Sequence, residues 1–303
     1  MILCCGEALI DMLPVDTPQG TAFVPHAGGA VFNTAIALGR LGAPAGFFSG
    51  LSADFFGDKL RASLVESKVD TTHCVIADRP CTLAFVRLVD GQATYAFYDE
   101  NTAGRLLALS DLPDTNAEAL FFGGISLVAE PCATTYEALM MRERGQRVIM
   151  MDPNIRPSFI TDEAAYRARM TRMIAASVIV KMSTDDLDWL AKGDAEGMTQ
   201  QILAAGTSIL FLTDGSVGAH AVTKRGTIFE PARKVTVVDT VGAGDTFNAG
   251  VLASLHQSGA LTCDGIREAD DETIVAALQM GVASAAVTVS RAGANPPWRS
   301  ELA

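Results

Sequence analysis

The chain has 303 residues, 49% of them hydrophobic, and a formal net charge of −12. An acidic chain lacks the basic face that nucleic-acid binding requires, and this length is enough to bury one large core. Charges interrupt every long apolar run, so the mean hydropathy of +0.25 reflects abundant Ala and Val and points away from a membrane partner.

The opening Met1-Ile2-Leu3-Cys4-Cys5-Gly6-Glu7 has no basic residue before its apolar run and meets an acid at once, which argues against a secretory leader. The six cysteines show no Cys-x-x-Cys spacing and sit mostly in apolar stretches. That is the pattern of buried free thiols in a reducing cytoplasm.

In chain order the periodicity predicts a strand over 2–9, a helix over 31–41, a strand over 45–49 and a helix over 59–67. A strand over 119–122, a helix over 134–144, a strand over 148–151 and a helix over 163–175 follow. Further strands are expected over 178–181, 209–213 and 235–238, with a helix over 198–204 after the first of them. Near-continuous apolar strands alternating with helices indicate a mainly parallel sheet covered on both faces, a three-layer α/β/α fold. Ligands of such sheets bind beyond the carboxyl ends of the strands.

Residues 21–26, 82–89 and 94–98 alternate instead like antiparallel strands, the last two joined through Asp90-Gly91, a hairpin signal. A small β-sheet built from insertions around 12–27 and 80–103 suggests a lid over a site. A hairpin that extends the main sheet is the other reading. With no repeats or linkers, residues 1–303 are expected to form one domain.

The most informative string is Asp239-Thr240-Val241-Gly242-Ala243-Gly244-Asp245-Thr246-Phe247. It lies between the strand expected near 234–238 and a helix whose apolar face carries Phe247, Val251, Leu252 and Leu255. Gly242, Ala243 and Gly244 would let backbone N–H groups converge on an anion at a helix N-terminus. Asp245 would stand beside that anion, placed to take a proton from a hydroxyl. A plain strand–turn–helix capped by Asp245 gives the same pattern. A dinucleotide fingerprint fits poorly, because Phe247 replaces its third glycine and Asp245 would face a pyrophosphate with like charge.

That nine-residue string resembles the C-terminal signature of the PfkB, or ribokinase-like, family of carbohydrate kinases. The resemblance runs from residue 1 to about 298, with further motifs in the family's order. It implies that Asp245 is the catalytic base and that the Gly242-Ala243-Gly244 amides hold the transferred phosphoryl group. Gly28-Gly29-Ala30-Val31-Phe32-Asn33, alone an ordinary helix entry, is similar to the N-terminal signature. There Gly28 and Gly29 admit a sugar to the backbone and Asn33 bonds its hydroxyls. Asp11, otherwise a loop acid, matches the residue that accepts two adjacent hydroxyls.

Asp152-Pro153-Asn154-Ile155-Arg156 could be solvated turn polarity. It resembles a string of fructokinases and 2-keto-3-deoxygluconate kinases in which Asn154 and Arg156 face the sugar and the phosphoryl group. Lys181-Met182-Ser183-Thr184-Asp185-Asp186 resembles the family's Asn-x-x-Glu segment. That places Lys181 and Ser183 near the nucleotide and gives Asp186 magnesium through water; an N-cap at Ser183 or Thr184 explains the same residues. Thr213, Gly215 and Gly218 match a nucleotide loop, and Asn295 follows the region that borders the adenine. Asp239 matches a loop that holds a monovalent cation such as K+.

The resemblance thus implies ATP and Mg2+ as cofactors, a neutral sugar as substrate, and a homodimer formed through the lid. The segment Phe97-Tyr98-Asp99-Glu100 places Tyr98 at the sugar and sets Asp99 against a sugar acid. D-Fructose phosphorylated at its 6-hydroxyl is therefore expected. A 2-keto-3-deoxygluconate kinase is the alternative, and a non-catalytic sugar- or nucleotide-binding regulator is the reading from another class.

Overall fold

The computed structural model describes residues 1–89 and 92–302, and side chains outside 87–95. The Asp90-Gly91 turn of the expected hairpin therefore lies outside the described residues. The chain begins β1 (Ile2–Cys5), β2 (Leu9–Thr17), β3 (Gly20–Gly28), α1 (Ala30–Arg40), β4 (Ala45–Phe48), β5 (Gly50–Ser52) and α2 (Phe55–Glu66). It continues through β6 (Val69–Asp70), β7 (Val75–Ala77), β8 (Leu83–Val89), β9 (Gln92–Tyr98), β10 (Ala119–Gly123), α3 (Cys132–Glu143), β11 (Val148–Asp152) and α4 (Glu163–Ala175). The rest is β12 (Ile179–Ser183), α5 (Thr184–Ala191), α6 (Ala195–Ala204), β13 (Ile209–Asp214), β14 (Gly218–Thr223), β15 (Gly226–Pro231), α7 (Ala243–Gln257), α8 (Cys263–Glu268) and α9 (Asp271–Val289).

A nine-stranded sheet in the order β15-β14-β13-β12-β11-β10-β1-β4-β6 forms the centre. It is parallel from β13 to β6, and only the β14 and β15 pairings are antiparallel. Alternation along the strands feeds two cores. Ile2, Cys4, Phe121 and Met150 pack with residues of α1, α7 and α9. Leu3, Cys5, Phe122 and Met151 pack on the other face with residues of α3 and α4. Two-sided burial explains why these strands read as unbroken apolar runs. All six cysteines are free thiols.

The predicted strand over 2–9 is two strands in two sheets. β1 stops at Cys5, and Val31 Cγ2 lies 2.4 Å from where a Cβ on Gly6 would stand, so only glycine lets the chain bend past α1. The predicted strand over 235–238 is not a strand. Val237 and Val238 are 60% exposed, and the Val238 and Asp239 amides donate to the Val289 carbonyl instead of to a ladder. β-Branched composition favours a pleated, half-buried surface, yet no neighbouring strand among the described residues supplies one.

A second sheet has the order β3-β2-β8-β9. Its hairpin pairs with β2, at Ile10↔Leu83 through Met12↔Phe85, and does not extend the main sheet. One face carries Phe23, Phe85 and Tyr98 in edge-on contact at 5.0 and 5.5 Å. The other carries Leu9, Asp11, Ala84 and Phe97 and lines a cleft shared with the main sheet.

Helices α7 and α9 cross at two glycines. A Cβ on Gly250 would stand 2.7 Å from the Gly281 Cα, and one on Gly281 would stand 2.8 Å from the Phe247 ring. Backbones that close admit no side chain. By length and hydropathy α9 resembles a membrane span, but half of that window is buried and it is a core helix.

Candidate active site

At the carboxyl ends of the parallel strands lies a cleft of about 1280 Å³ that both sheets line. Residues 240–245 and Phe247 of the signature string line it. Gly242 is the N-cap of α7 at φ 78° and ψ 2°, without a side-chain cap. The Ala243 amide donates back to the Thr240 carbonyl and that of Thr246 to the Gly242 carbonyl. The Gly244 and Asp245 amides have no backbone acceptor among the described residues. These are the donors that a helix N-terminus leaves free for an anion. Thr246 Oγ1 also donates to the Gly242 carbonyl at 2.8 Å, and Thr288 Oγ1 of α9 to Thr246 Oγ1 at 3.0 Å, so hydroxyls from two helices fix the turn.

Asp245 faces this turn from the first helical turn and is buried. Asn33 Nδ2 donates to its Oδ2 at 2.9 Å. Burial pushes Asp245 up to about 7, against the Asn33 hydrogen bond and Lys181, which lower it, while Asp152 and Glu7 raise it further. A carboxylate that holds its proton near neutrality is matched to general-base work.

Towards the second sheet, Asp11 projects from β2, and burial raises it to about 6. Its Oδ2 lies 2.3 Å from the Cβ position of Gly28, so Gly28 supports the acid from behind and does not itself form the cleft wall. Gly29 stands at φ 113°, its Cβ position 2.8 Å from the Glu7 carbonyl. Across the cleft, Asn154 holds φ 44° while its amide donates to Asp152 Oδ1 at 3.2 Å. That turn presents Asn154 and Arg156 to the cleft.

Asp186 accepts from the Ile155 amide at 2.8 Å through Oδ1, and from the Ser183 hydroxyl at 2.7 Å and amide at 3.1 Å through Oδ2. The Ser183 hydroxyl in turn accepts from the Asp186 amide at 3.0 Å, completing a capping box. Asp186 therefore ties the 152–156 loop to α5 as well as lining the cleft. Its carboxylate, with Asp185 beside it on the wall, is an oxygen donor set that fits a magnesium held through water. Lys181, Thr213, Gly215 and Gly218 reach the same cleft.

Three expected residues stand off the cleft wall. Tyr98 is 61% exposed on the outer face of the second sheet; strand alternation turns its neighbour Phe97 inward, where it meets Phe159 at 5.0 Å. Asn295 Oδ1 accepts from Arg40 Nη1 at 2.8 Å, on the surface and off the cleft wall. Asp239 accepts from the Val241 and Gly293 amides at 3.0 and 2.9 Å, which joins the loop before α7 to the loop after α9. Asp99 also departs from expectation. It accepts from Thr82 at 3.0 Å and lies 3.7 Å from Arg105, off the cleft wall, so it is not what repels a sugar acid.

Other wall residues were not legible in the sequence. Glu7 accepts from the Ala30 amide at 2.9 Å and the Ser126 amide at 3.3 Å, and burial raises its pKa. Its one signal is an acid directly after an apolar strand. Val235, Val237, Val282, Ala285, Ala286 and Val289 form an apolar slot beside the Gly242 turn.

The pfkB family carbohydrate kinase model matches residues 1–301. The chain is 54% identical over 278 residues to a fructokinase of Rhizobium leguminosarum bv. trifolii, covering 90% of this chain and 85% of that one. A crystal structure of fructokinase with bound ATP from Xylella fastidiosa superimposes with a TM-score of 0.91 at 32% identity, over 99% and 96% of the two chains. A double mutant of the Vibrio cholerae O395 fructokinase, in a form with fructose, ADP and potassium ion bound, gives 0.84 at 25% identity over 97% and 93%. A free-amide helix start, a buried carboxylate of near-neutral pKa and an apolar slot in one cleft agree with these likenesses: the chain belongs to the pfkB family of carbohydrate kinases.

Proposed function

We propose that the protein transfers the γ-phosphoryl group of ATP to the 6-hydroxyl of D-fructose. The observation that carries this is the adjacency, at the start of α7, of unaccepted amides and the buried Asp245 carboxylate held by Asn33. Asp245 takes the proton of the attacking hydroxyl, and the Gly244 and Asp245 amides with Arg156 receive the charge on the phosphoryl oxygens. Asp11, Asn33 and Asn154 orient the sugar. Lys181, Ser183, Thr213, Gly215 and Gly218 border the phosphates and ribose, and the valine-lined slot takes the base. Magnesium, when bound, would neutralise phosphate charge, with Asp186 as the residue that holds it through water. Asp239 stands where a monovalent cation is proposed, a reading supported by the potassium of the Vibrio fructokinase.

The sugar end is lined by Glu7, Asp11 and Asp245. An acidic wall suits a neutral polyol and disfavours a sugar acid, which supports fructose over 2-keto-3-deoxygluconate. The second sheet is proposed to act as a lid on a single α/β domain that works in the cytoplasm, and its aromatic outer face to join two copies as a homodimer. A coupled ADP-release assay across fructose, 2-keto-3-deoxygluconate, ribose and adenosine tests the reading. Fructose should give the highest kcat/KM; turnover with none of them, despite sugar binding, would make the protein a regulator.

A further inference from the structure

Beneath the Gly242 turn lies a buried ion pair whose acid, Asp152, the proposed chemistry leaves without a task. Lys181 Nζ stands 2.9 Å from Asp152 Oδ2, with the two side chains 5% and 3% exposed. Asn248 Nδ2 donates to the same Asp152 oxygen at 2.7 Å. The ammonium lies 3.0 Å from the Cβ position of Gly244, against the floor of the turn whose next residue is Asp245. Burying such a pair costs desolvation that its own attraction barely offsets, so stability alone is a weak reason for it. The arrangement makes sense as a choice between two carboxylates, because the same cation could otherwise pair with Asp245 and disable it.

We infer that Asp152 is a positioning residue for phosphoryl transfer: it holds the Lys181 ammonium at the floor of the Gly242-Ala243-Gly244 turn and keeps that cation off Asp245. The inference rests on Asp245 being the base. The groups that act on the Asp245 carboxylate are Asp152 from β11, Lys181 from β12, Glu7 from the β1–β2 connection and Asn33 from α1, while Thr288 of α9 donates to the neighbouring Thr246 hydroxyl. Within this set the pair has two charges of opposite effect. Lys181 lowers the proton affinity of Asp245 and Asp152 raises it. Removing either one must therefore move the base in opposite directions.

The test is the pH dependence of kcat/KM for fructose in the wild type, Asp152→Asn, Lys181→Met, the double variant and Asp245→Asn. The acid limb reports the pKa of the base in the free enzyme. It should move down by about one pH unit in Asp152→Asn and up by about one unit in Lys181→Met, the scale of a nearby charge. The double variant, with a neutral pair, should return to within about 0.3 unit of wild type. Lys181→Met alone decides the direction if Asp152→Asn does not fold. Limbs that stay in place or move together, with Asp245→Asn inactive, overturn the role of Asp152 and leave the base intact. An Asp245→Asn variant with the wild-type rate and limb overturns the base itself.

Discussion

Asn33 Nδ2 and Asp245 Oδ2 meet at 2.9 Å across the α1–α7 interface, although 212 residues separate them in sequence. The contact gives α1 a part in the electrostatics of α7. An amide that donates to a carboxylate favours its charged form. Asn33→Ala should therefore raise Asp245 above its present value of about 7 and move the acid limb of kcat/KM to higher pH. A hydrogen bond to a charged group corresponds to a shift of about 1–2 units. An unmoved limb would disconnect the two residues.

Asp245→Asn keeps the shape and removes the base. It should lower kcat by roughly 10²–10⁴-fold while the sugar KM changes little. A coupled assay at saturating ATP reads this directly, and near-normal turnover would remove Asp245 from its role.

The same substitution should stabilise the unliganded fold. Burial raises Asp245 from 3.8 to about 7, so the folded state binds its proton more tightly than the unfolded chain does. Stability is consequently lost as pH rises through the window from about 4 to about 7 and stays lost above it. At about 1.4 kcal/mol per unit the loss has a ceiling of about 4 kcal/mol. Melting curves should place Asp245→Asn above wild type at pH 8, with the gap closing towards pH 4. A constant gap would show that ionisation of this carboxyl is not its origin.

Gly281→Ala would place a methyl group 2.8 Å from the Phe247 ring. Overpacking at such a crossing costs about 1–3 kcal/mol, and it should also slow turnover because Phe247 follows Asp245 by two residues. Urea unfolding and the coupled assay check the two effects. An unaltered midpoint would mean that the helices can part.

The outer face of the second sheet joins Phe23, Phe85 and Tyr98, with Phe23 and Tyr98 41% and 61% exposed. If this face pairs two copies, Phe23→Glu with Tyr98→Glu should give monomers in sedimentation, whereas the wild type should sediment as a dimer. A wild-type monomer would refute the proposed assembly.

Elements set by local chemistry were legible in the sequence. The predicted helix over 163–175 matches α4, whose Asp162 side chain caps it by accepting from the Ala165 amide. Asp245, Asn33, Asp11 and the 154–156 loop line one cleft, the placement their motifs implied. What escaped was set by partners distant in the chain. Val237 and Val238 have the composition of a strand, and the lack of a neighbouring strand among the described residues leaves them a loop. Asp99 looked free to face a sugar until Thr82, Thr102 and Arg105 claimed it. The sequence assigned Glu7 no role, since its meaning lies in amides 23 and 119 residues away.

The glycine crossing of α7 and α9 limits how the enzyme can breathe. Asp245 rides on one helix, and Val282, Ala285, Ala286 and Val289 belong to the other. Backbones in van der Waals contact leave no compressible layer between them, so the proposed nucleotide wall and the proposed base would travel as one jaw. Adjustment to the proposed hexose would then fall to the opposite jaw, the one that carries Asp11 and Phe97.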